Sequence, residues 1–235
     1  MTTTIFITGA DKGLGLSLAS QSAQRGLIVF AGLYAWADHL QELADHFPDQ
    51  IHIVPLDVTD IGSVRRAAQV VTEQTKALDI LINNAGIYPH QFAVILEETD
   101  FTDPAIFDML DVNSLGPLRV AQQFLPLLEK GQSKRIINIS SEAGSIADCP
   151  REGEYIYCMS KAALNMQSMI LQRALRGRGF KVLAIHPGWM RTDMGGPDAH
   201  LHPDQSAEAI LTLALKDWQL DGPIYMDYAG KLLPW

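Results

Sequence analysis

The sequence predicts an α/β fold: one doubly wound, mostly parallel sheet of about seven strands with helices on both faces, a Rossmann arrangement. Three observations lead there. Short β-rich runs alternate with amphipathic stretches of helical period from end to end. The runs are almost continuously apolar, as strands are when both faces of a sheet are covered. The 235 residues, 47% of them hydrophobic, suffice for one full core and show no linker, repeat or low-complexity segment, so residues 1–235 read as a single domain.

In chain order, the first strand is 4–8, and the glycine-containing turn 9–15 leads into a helix at about Leu16. Strands at 28–33, 51–56 and 80–83 follow, with a helix over 61–76. Helix 117–128 precedes strand 135–140, and helix 162–176 precedes strand 181–186. Helix 203–215 and strand 222–227 close the chain. Repeated β-α units of this length imply parallel pairing. Sheets of this kind bind ligands beyond the C-terminal ends of their strands, where strand order reverses. The residues that follow each strand are therefore the candidates for chemistry.

Composition excludes several functions. The net charge of −9 argues against nucleic acid or anionic lipid as a main partner. It leaves room for an anionic cofactor held by local positive charge. No segment approaches the roughly 18 consecutive apolar residues of a membrane span. Residues 1–4 lack a basic region, so no signal peptide is expected. Two cysteines, Cys149 and Cys158, fit a reducing, cytoplasmic setting better than a disulfide framework, and Cys158 is expected to pack rather than react. The seven histidines show no metal spacing, the His200-x-His202 pair included. His186 is expected to be a satisfied strand-end residue, and Trp235 to dock in a groove.

Tyr157 and Lys161 lie four residues apart at the head of a helix-favouring run, which puts both side chains on one face. A free phenol titrates at about 10 and transfers protons poorly at neutral pH. A cation within about 4–6 Å favours the phenolate, so such a couple is expected to act as an acid/base working below 10.

The first strand ends in Thr8-Gly9-Ala10-Asp11-Lys12-Gly13-Leu14-Gly15. Glycines let the backbone turn and approach a ligand, and the helix N-terminus behind them seats a pyrophosphate. Strand two ends in Gly32-Leu33-Tyr34-Ala35-Trp36, with no carboxylate before Asp38 to hold a ribose 2′-hydroxyl. That absence, with Lys12 in the glycine loop as a point charge for a 2′-phosphate, favours NADP(H) and leaves NAD(H) as the alternative. Strand three ends in Asp57-Val58, where Asp57 either accepts the adenine amino group or caps the next helix. Strand four ends in Asn83-Asn84-Ala85-Gly86, strand five in Ser140-Ser141, and strand six in Pro187-Gly188-Trp189-Met190-Arg191-Thr192. Trp189, Met190 and Met194 read equally as a mobile lid or as an ordinary loop with apolar anchors.

Taken together, Thr8-Gly9-x-x-x-Gly13-x-Gly15, Asn83-Asn84-Ala85-Gly86, Asn113, Ser141, Tyr157-x-x-x-Lys161 and Pro187-Gly188-x-x-x-Thr192 resemble the short-chain dehydrogenase/reductase family, in its order and over nearly the whole chain. The segments 136–141, 159–166 and 227–235 look most like the C-factor and sniffer-type carbonyl reductases. The resemblance implies a tetrad. Tyr157 would give a proton to the carbonyl oxygen as hydride arrives, and Lys161 would lower the phenol pKa and hold the nicotinamide ribose. Ser141 would orient the substrate oxygen, and Asn113 would anchor a water that continues the proton path. Cofactor contacts are implied for Gly9, Lys12, Gly13, Leu14, Gly15, Tyr34, Asp57, Val58, Asn84, Ala85, Gly86, Tyr157, Lys161, Pro187, Gly188, Met190 and Thr192.

The interval from Ser141 to Tyr157 looks longer than the family's usual one, so residues 147–154 must loop out at the mouth of the site, with Ser140 as fallback for Ser141. Tyr155 would face elsewhere on a helix. The implied activity is NADP(H)-dependent reduction of ketones or aldehydes to alcohols, on a small-molecule substrate in a largely apolar pocket. Only Arg151 and Arg191 offer a clamp for an acid substrate. A homo-oligomer is left open. The alternative from another class is a dinucleotide-binding signalling or scaffold protein with little turnover. An epimerase or dehydratase would want a larger substrate region than 189–203.

Overall fold

The computed structural model describes residues 2–235; Met1, part of the start read as leaderless, lies outside the described residues. The strands are β1 (Thr4–Ile7), β2 (Ile28–Leu33), β3 (Ile51–Pro55), β4 (Ile80–Asn83), β5 (Arg135–Ile139), β6 (Lys181–His186) and β7 (Tyr225–Asp227). They form one seven-stranded sheet in the order β3-β2-β1-β4-β5-β6-β7. Every neighbouring pair is parallel. The helices are α1 (Gly13–Gln24), α2 (Asp38–His46), α3 (Ile61–Gln74), α4 (Ala105–Leu110), α5 (Gly116–Leu128), α6 (Tyr155–Leu175) and α7 (Pro203–Leu215).

Alternation along the strands divides the core into two layers. Ile5 and Ile7 pack with Leu14 and Leu18 of α1, Leu40 of α2 and Ile210 and Leu211 of α7. Phe6 points the other way, into Val64 of α3 and Phe124 of α5, with the two phenyl rings 4.3 Å apart. A small third cluster, Phe92, Ile106, Met109 and Ile156, sits beneath the ring of Tyr157. Among the described residues no helix is long and apolar enough to cross a membrane.

Three boundaries differ from the sequence expectation by three residues or more. α1 begins at Gly13 rather than Leu16, so Gly13 and Gly15 lie inside its first turn. α6 begins at Tyr155 rather than Ala162, which brings Tyr157 into the helix with Lys161. β7 starts only at Tyr225, because the carbonyls of Gly222 and Pro223 accept from the buried Lys181 Nζ (2.8 and 3.3 Å) instead of joining the ladder. α2 and α4 were not expected; α2 buries Leu40 fully, and Leu43, Ala44 and the following Phe47 pack partly against the same layer.

Candidate active site

Strand order reverses between β1 and β4, and the crevice beyond their C-terminal ends is built from the glycine turn and the Asn84-Ala85-Gly86 turn. Thr8 joins the two: its hydroxyl oxygen accepts from the N–H groups of Asn84 and Ala85, both at 2.9 Å. Asn84 Nδ2 donates back to the carbonyls of Thr8 (3.0 Å) and Gly9 (2.9 Å). At Gly15 a Cβ would stand 1.9 Å from the Gly9 carbonyl oxygen, so the turn cannot close over any other residue. Gly9 and Gly13 hold φ of +62° and +52°, which also favour glycine.

α1 opens with no side-chain cap from Lys12 and no acidic residue in its first turn, which leaves its positive end to a ligand. The residues present therefore fit a dinucleotide pyrophosphate, with Gly9, Gly13, Leu14 and Gly15 around it. Thr192 closes this side, its Cγ2 lying 3.2 Å from where a Gly13 Cβ would stand. Lys12 Nζ is bonded to Asp193 Oδ2 at 2.7 Å, a bridge from the glycine turn to the loop after β6, and both side chains are exposed.

Tyr157 and Lys161 share one face of α6, with the ammonium 5.8 Å from the phenol ring centroid. Lys161 is buried and donates to the Ile139 carbonyl at 3.0 Å. Its Nζ is also 3.8 Å from the point where a Gly86 Cβ would stand, so it faces the turn after β4. α6 is held against β5 by polar groups. Asn165 accepts from Ser140 Oγ (2.6 Å) and donates to the Gly144 carbonyl (3.1 Å). Asn138 donates to Ser168 Oγ (2.7 Å) and accepts from Asn83 (2.8 Å). Ser140 thus faces the helix. Ser141 faces the phenol, and the hydrogen bond between them counters part of the phenol's burial penalty. Tyr155 points away, donating to the Glu152 carbonyl at 3.2 Å.

The expected lowering of the phenol pKa is not what the electrostatics give. Burial dominates both members of the couple: it pushes Tyr157 up to about 12 and Lys161 down to about 8. The Lys161 cation is itself disfavoured where it stands, and Ser141 and Arg151 are the groups that hold the phenol down. Burial also pushes the Cys158 thiol up to about 11, as expected of a packed residue.

Asn113 lies in a π turn, Asp111–Leu115, between α4 and α5. Its side chain closes a pair with Ile87, accepting from the N–H (2.8 Å) and donating to the carbonyl (2.9 Å), and it also donates to Ser160 Oγ (3.1 Å). The side chain is thus committed to structure, and a water on the proton path would have to use the main chain. Asp57 does not cap α3. Asp60 does, accepting from Gly62 and Ser63, while Asp57 Oδ1 accepts from Thr59 N (2.8 Å) and Oγ1 (2.6 Å). Val58 is buried, whereas Tyr34, at the end of β2, is 74% exposed.

After β6, Pro187 is tied by Ser206 Oγ to its carbonyl (2.6 Å), Gly188 has φ +83°, and Met190 bridges Leu201. Trp189 Nε1 donates to the Gly195 carbonyl (2.8 Å), so the 189–201 loop is organised by its own bonds. His186 is not the satisfied residue expected: its Nδ1 is buried with no partner among the described residues, and burial pushes the ring pKa down. Among the described residues no group of His, Cys, Asp and Glu could hold a metal. Trp235 does dock in part. It stacks on Tyr225 at 5.0 Å and its carbonyl accepts from Ala147 N at 2.7 Å, while Tyr225 OH donates to the Ser141 carbonyl at 2.7 Å.

Sequence reasoning offered Arg151 only as a clamp for an acid substrate and found neither the ion cluster it forms in the 142–154 segment nor the contact of Tyr88 with Tyr157. Tyr88 packs at a tilt of 52° against Tyr157, ring centroids 4.6 Å apart, and is hydrogen-bonded to Glu154. Arg151 binds Glu142 through both Nη atoms (3.1 and 2.8 Å) and Glu154 through Nε (2.7 Å). A cavity of about 470 Å³ adjoins this cluster, lined among others by Ser145, Pro150, Tyr225 and Leu233.

The chain matches the family model of the short chain dehydrogenases over residues 3–200. It is 40% identical over 167 residues to C-signal of Myxococcus xanthus, covering 68% of this chain and 95% of that relative. It is similar to an NADPH-bound carbonyl reductase from chicken fatty liver, with a TM-score of 0.91 and 34% identity, over 100% of this chain and 99% of the other. The carbonyl reductase Sniffer of D. melanogaster is likewise similar, at a TM-score of 0.91 and 30% identity, with 100% of both chains covered.

Proposed function

The chain belongs to the short chain dehydrogenase family, and we propose that it is an NADP(H)-dependent oxidoreductase reducing ketones or aldehydes to alcohols. Within that proposal, residues 1–235 are one dinucleotide-binding domain acting on small molecules in the cytoplasm. The observation that carries it is the placement of Tyr157, Ser141 and Lys161 together at the crevice where strand order reverses. Bound nicotinamide would supply the hydride. Ser141 and Tyr157 orient the carbonyl oxygen, and Tyr157 gives it a proton. Burial holds the phenol up at about 12, so it is protonated at neutral pH and the proton that reduction requires is in place. Lys161, still mostly an ammonium at pH 7, stabilises the charge left on the phenol. Asn113 supports the path by fixing the Ile87 backbone and the π turn.

The test is a panel of carbonyl compounds with NADPH and NADH in parallel, followed at the nicotinamide absorbance. Neutral aldehydes and ketones are expected to outperform keto acids. The Arg151 donors are taken by Glu142 and Glu154, and Arg191 Nε by the Ala199 carbonyl (2.6 Å). A keto acid as the best substrate would contradict this.

Cofactor preference depends on Lys12. Lys12→Ala is expected to weaken NADPH binding and spare NADH. Asp193→Asn, which frees Lys12 from an exposed ion pair worth about 0.2–1 kcal/mol, should tighten NADPH by about 1.4- to 5-fold. Titration of cofactor fluorescence measures both. Equal losses for the two cofactors in Lys12→Ala would remove Lys12 as a 2′-phosphate contact.

A second reading is favoured by one observation, the 40% identity to a protein named C-signal. It is a dinucleotide-binding signalling protein with little turnover. Cofactor binding without reduction of any carbonyl in the panel would select it.

A further inference from the structure

We propose that Arg151 is a positioning residue that holds Ser141 and Tyr157 in register by tying together the two ends of the long segment between them. The proposal rests on the carbonyl-reductase reading. Along the chain, Ser141 and Tyr157 stand at opposite ends of a segment that crosses the mouth of the site without regular structure beyond one short turn. A connection of this kind leaves the distance between its ends loosely determined unless something fixes it. Arg151 does so with three donors. Its Nη1 and Nη2 grip both oxygens of Glu142 at 3.1 and 2.8 Å, the residue directly after Ser141. Its Nε grips Glu154 Oε2 at 2.7 Å, the residue from which α6 starts. A guanidinium is planar and forked, so the two carboxylates are fixed in direction as well as distance.

Each end passes the constraint on to the reacting groups. At the serine end, Ser141 Oγ lies 3.4 Å from Glu142 Oε2 and also accepts from Ala143 N at 3.1 Å. At the tyrosine end, Glu154 has φ +60°, a left-handed conformation that a non-glycine residue keeps only when its surroundings hold it there. Three contacts of Glu154 do that: the Arg151 pair, its N–H donating to the Val94 carbonyl (3.2 Å), and its bond to Tyr88. Tyr88 in turn lies on the ring of Tyr157. The segment seats tightly on that wall, since a Cβ at Gly153 would stand 2.5 Å from the Val94 carbonyl oxygen.

The same groups set the charge around the phenol. Facing Tyr157 are Lys161 and Cys158 from its own helix, and Tyr88 from the loop after β4. Ser141 and Glu142 face it after β5, and Arg151 and Glu154 from the long segment; His186, at the end of β6, senses Glu142, Arg151 and Lys161. Glu142 opposes the phenolate and Arg151 favours it, so the two act against each other while the pair is intact. Removing Arg151 leaves Glu142 uncompensated beside the phenol; removing Glu142 does the reverse.

The experiment compares Arg151→Gln, Arg151→Lys, Glu142→Gln and the Glu142→Gln/Arg151→Gln double variant. Each is assayed with NADPH and 4-nitrobenzaldehyde across pH, and amide hydrogen exchange is followed over 145–157. Arg151→Gln is expected to lose about 10- to 100-fold in kcat, with the KM for NADPH within about twofold of native. Its alkaline limb, set by the Lys161 ammonium, should move up by about half a unit to one unit, since losing a cation while Glu142 stays raises the pKa of the groups at the site. The double variant should bring the limb back without restoring kcat. Arg151→Lys should also keep the limb, because it keeps the charge, but recover kcat only in part, because it lacks the fork. Exchange over 145–157 should quicken in Arg151→Gln while β4, β5 and β6 stay protected. Native kcat with an unmoved limb in Arg151→Gln would overturn the proposal, as would unchanged exchange over 145–157. A native protein that reduces no carbonyl would overturn the reductase reading instead, and the exchange comparison would still decide whether Arg151 holds the segment.

Discussion

Tyr157→Phe is expected to cut carbonyl reduction by at least about 100-fold, close to 3 kcal/mol of transition-state stabilisation, and to leave NADPH binding intact. The substitution removes one O–H and keeps the ring. The ring packs beneath Tyr88 and over the Phe92, Ile106, Met109 and Ile156 cluster, so the fold has no reason to move. What goes is the proton. No other group beside Ser141 is placed to replace it without rearrangement: the Tyr88 hydroxyl is bonded to Glu154, and Tyr155 is turned to the Glu152 carbonyl. Ser141→Ala should retain more activity than Tyr157→Phe, because the serine orients the oxygen and holds the phenol down without supplying the proton. Steady-state rates with a neutral aldehyde, paired with NADPH titrations, separate these effects. A Tyr157→Phe protein that reduces at the native rate would remove the proton-donor role and leave the signalling reading as the better account.

The sheet, its parallel sense and the crevice at its switch point were legible because they rest on period and punctuation. Ile28–Leu33, Ile80–Asn83 and Lys181–His186 are apolar runs that end where the polar or glycine-bearing turns begin. Tyr157 and Lys161 were legible because a helix fixes i and i+4 by geometry alone. The charge state of the couple was not. Spacing tells that an ammonium is near a phenol, but not that both are buried, and burial moves each towards its neutral form. The role of Asp57 stayed open for a related reason: Asp57 and Asp60 both suit a helix cap, and only the backbone path shows that Asp60 takes it. The Glu142–Arg151–Glu154 cluster lies in a segment without period, where sequence offers three charges and no indication that they meet. The π turn at Asn113 is equally silent, since it is one helical register change inside an otherwise regular pattern.

Lys161→Ala should be the other severe variant, losing at least about 100-fold in turnover and, unlike Tyr157→Phe, also weakening NADPH binding. The side chain is buried, points at the turn after β4 and lies 5.8 Å from the phenol ring, so on the proposed function one ammonium would serve the phenol and the nicotinamide ribose together. Its pH behaviour identifies it. Burial holds its pKa down at about 8, so the cation is present below that pH and lost above it. The native kcat/KM should therefore fall as pH rises through about 8, well before the phenol titrates, and this limb should survive in the residual activity of Tyr157→Phe but vanish in Lys161→Ala. Stability should move in the opposite sense. Between about 8 and the ordinary lysine value of 10.5 the unfolded chain binds the proton that the folded chain gives up. Folding is thus favoured by Lys161 above 10.5, and that advantage is lost as pH falls through about 8. Subtracting Lys161→Ala from the native protein in chemical denaturation at several pH values should isolate this term. A limb near 8 that persists in Lys161→Ala would assign it to another group, and an unchanged stability difference across the window would mean that Lys161 stands in water rather than against the phenol.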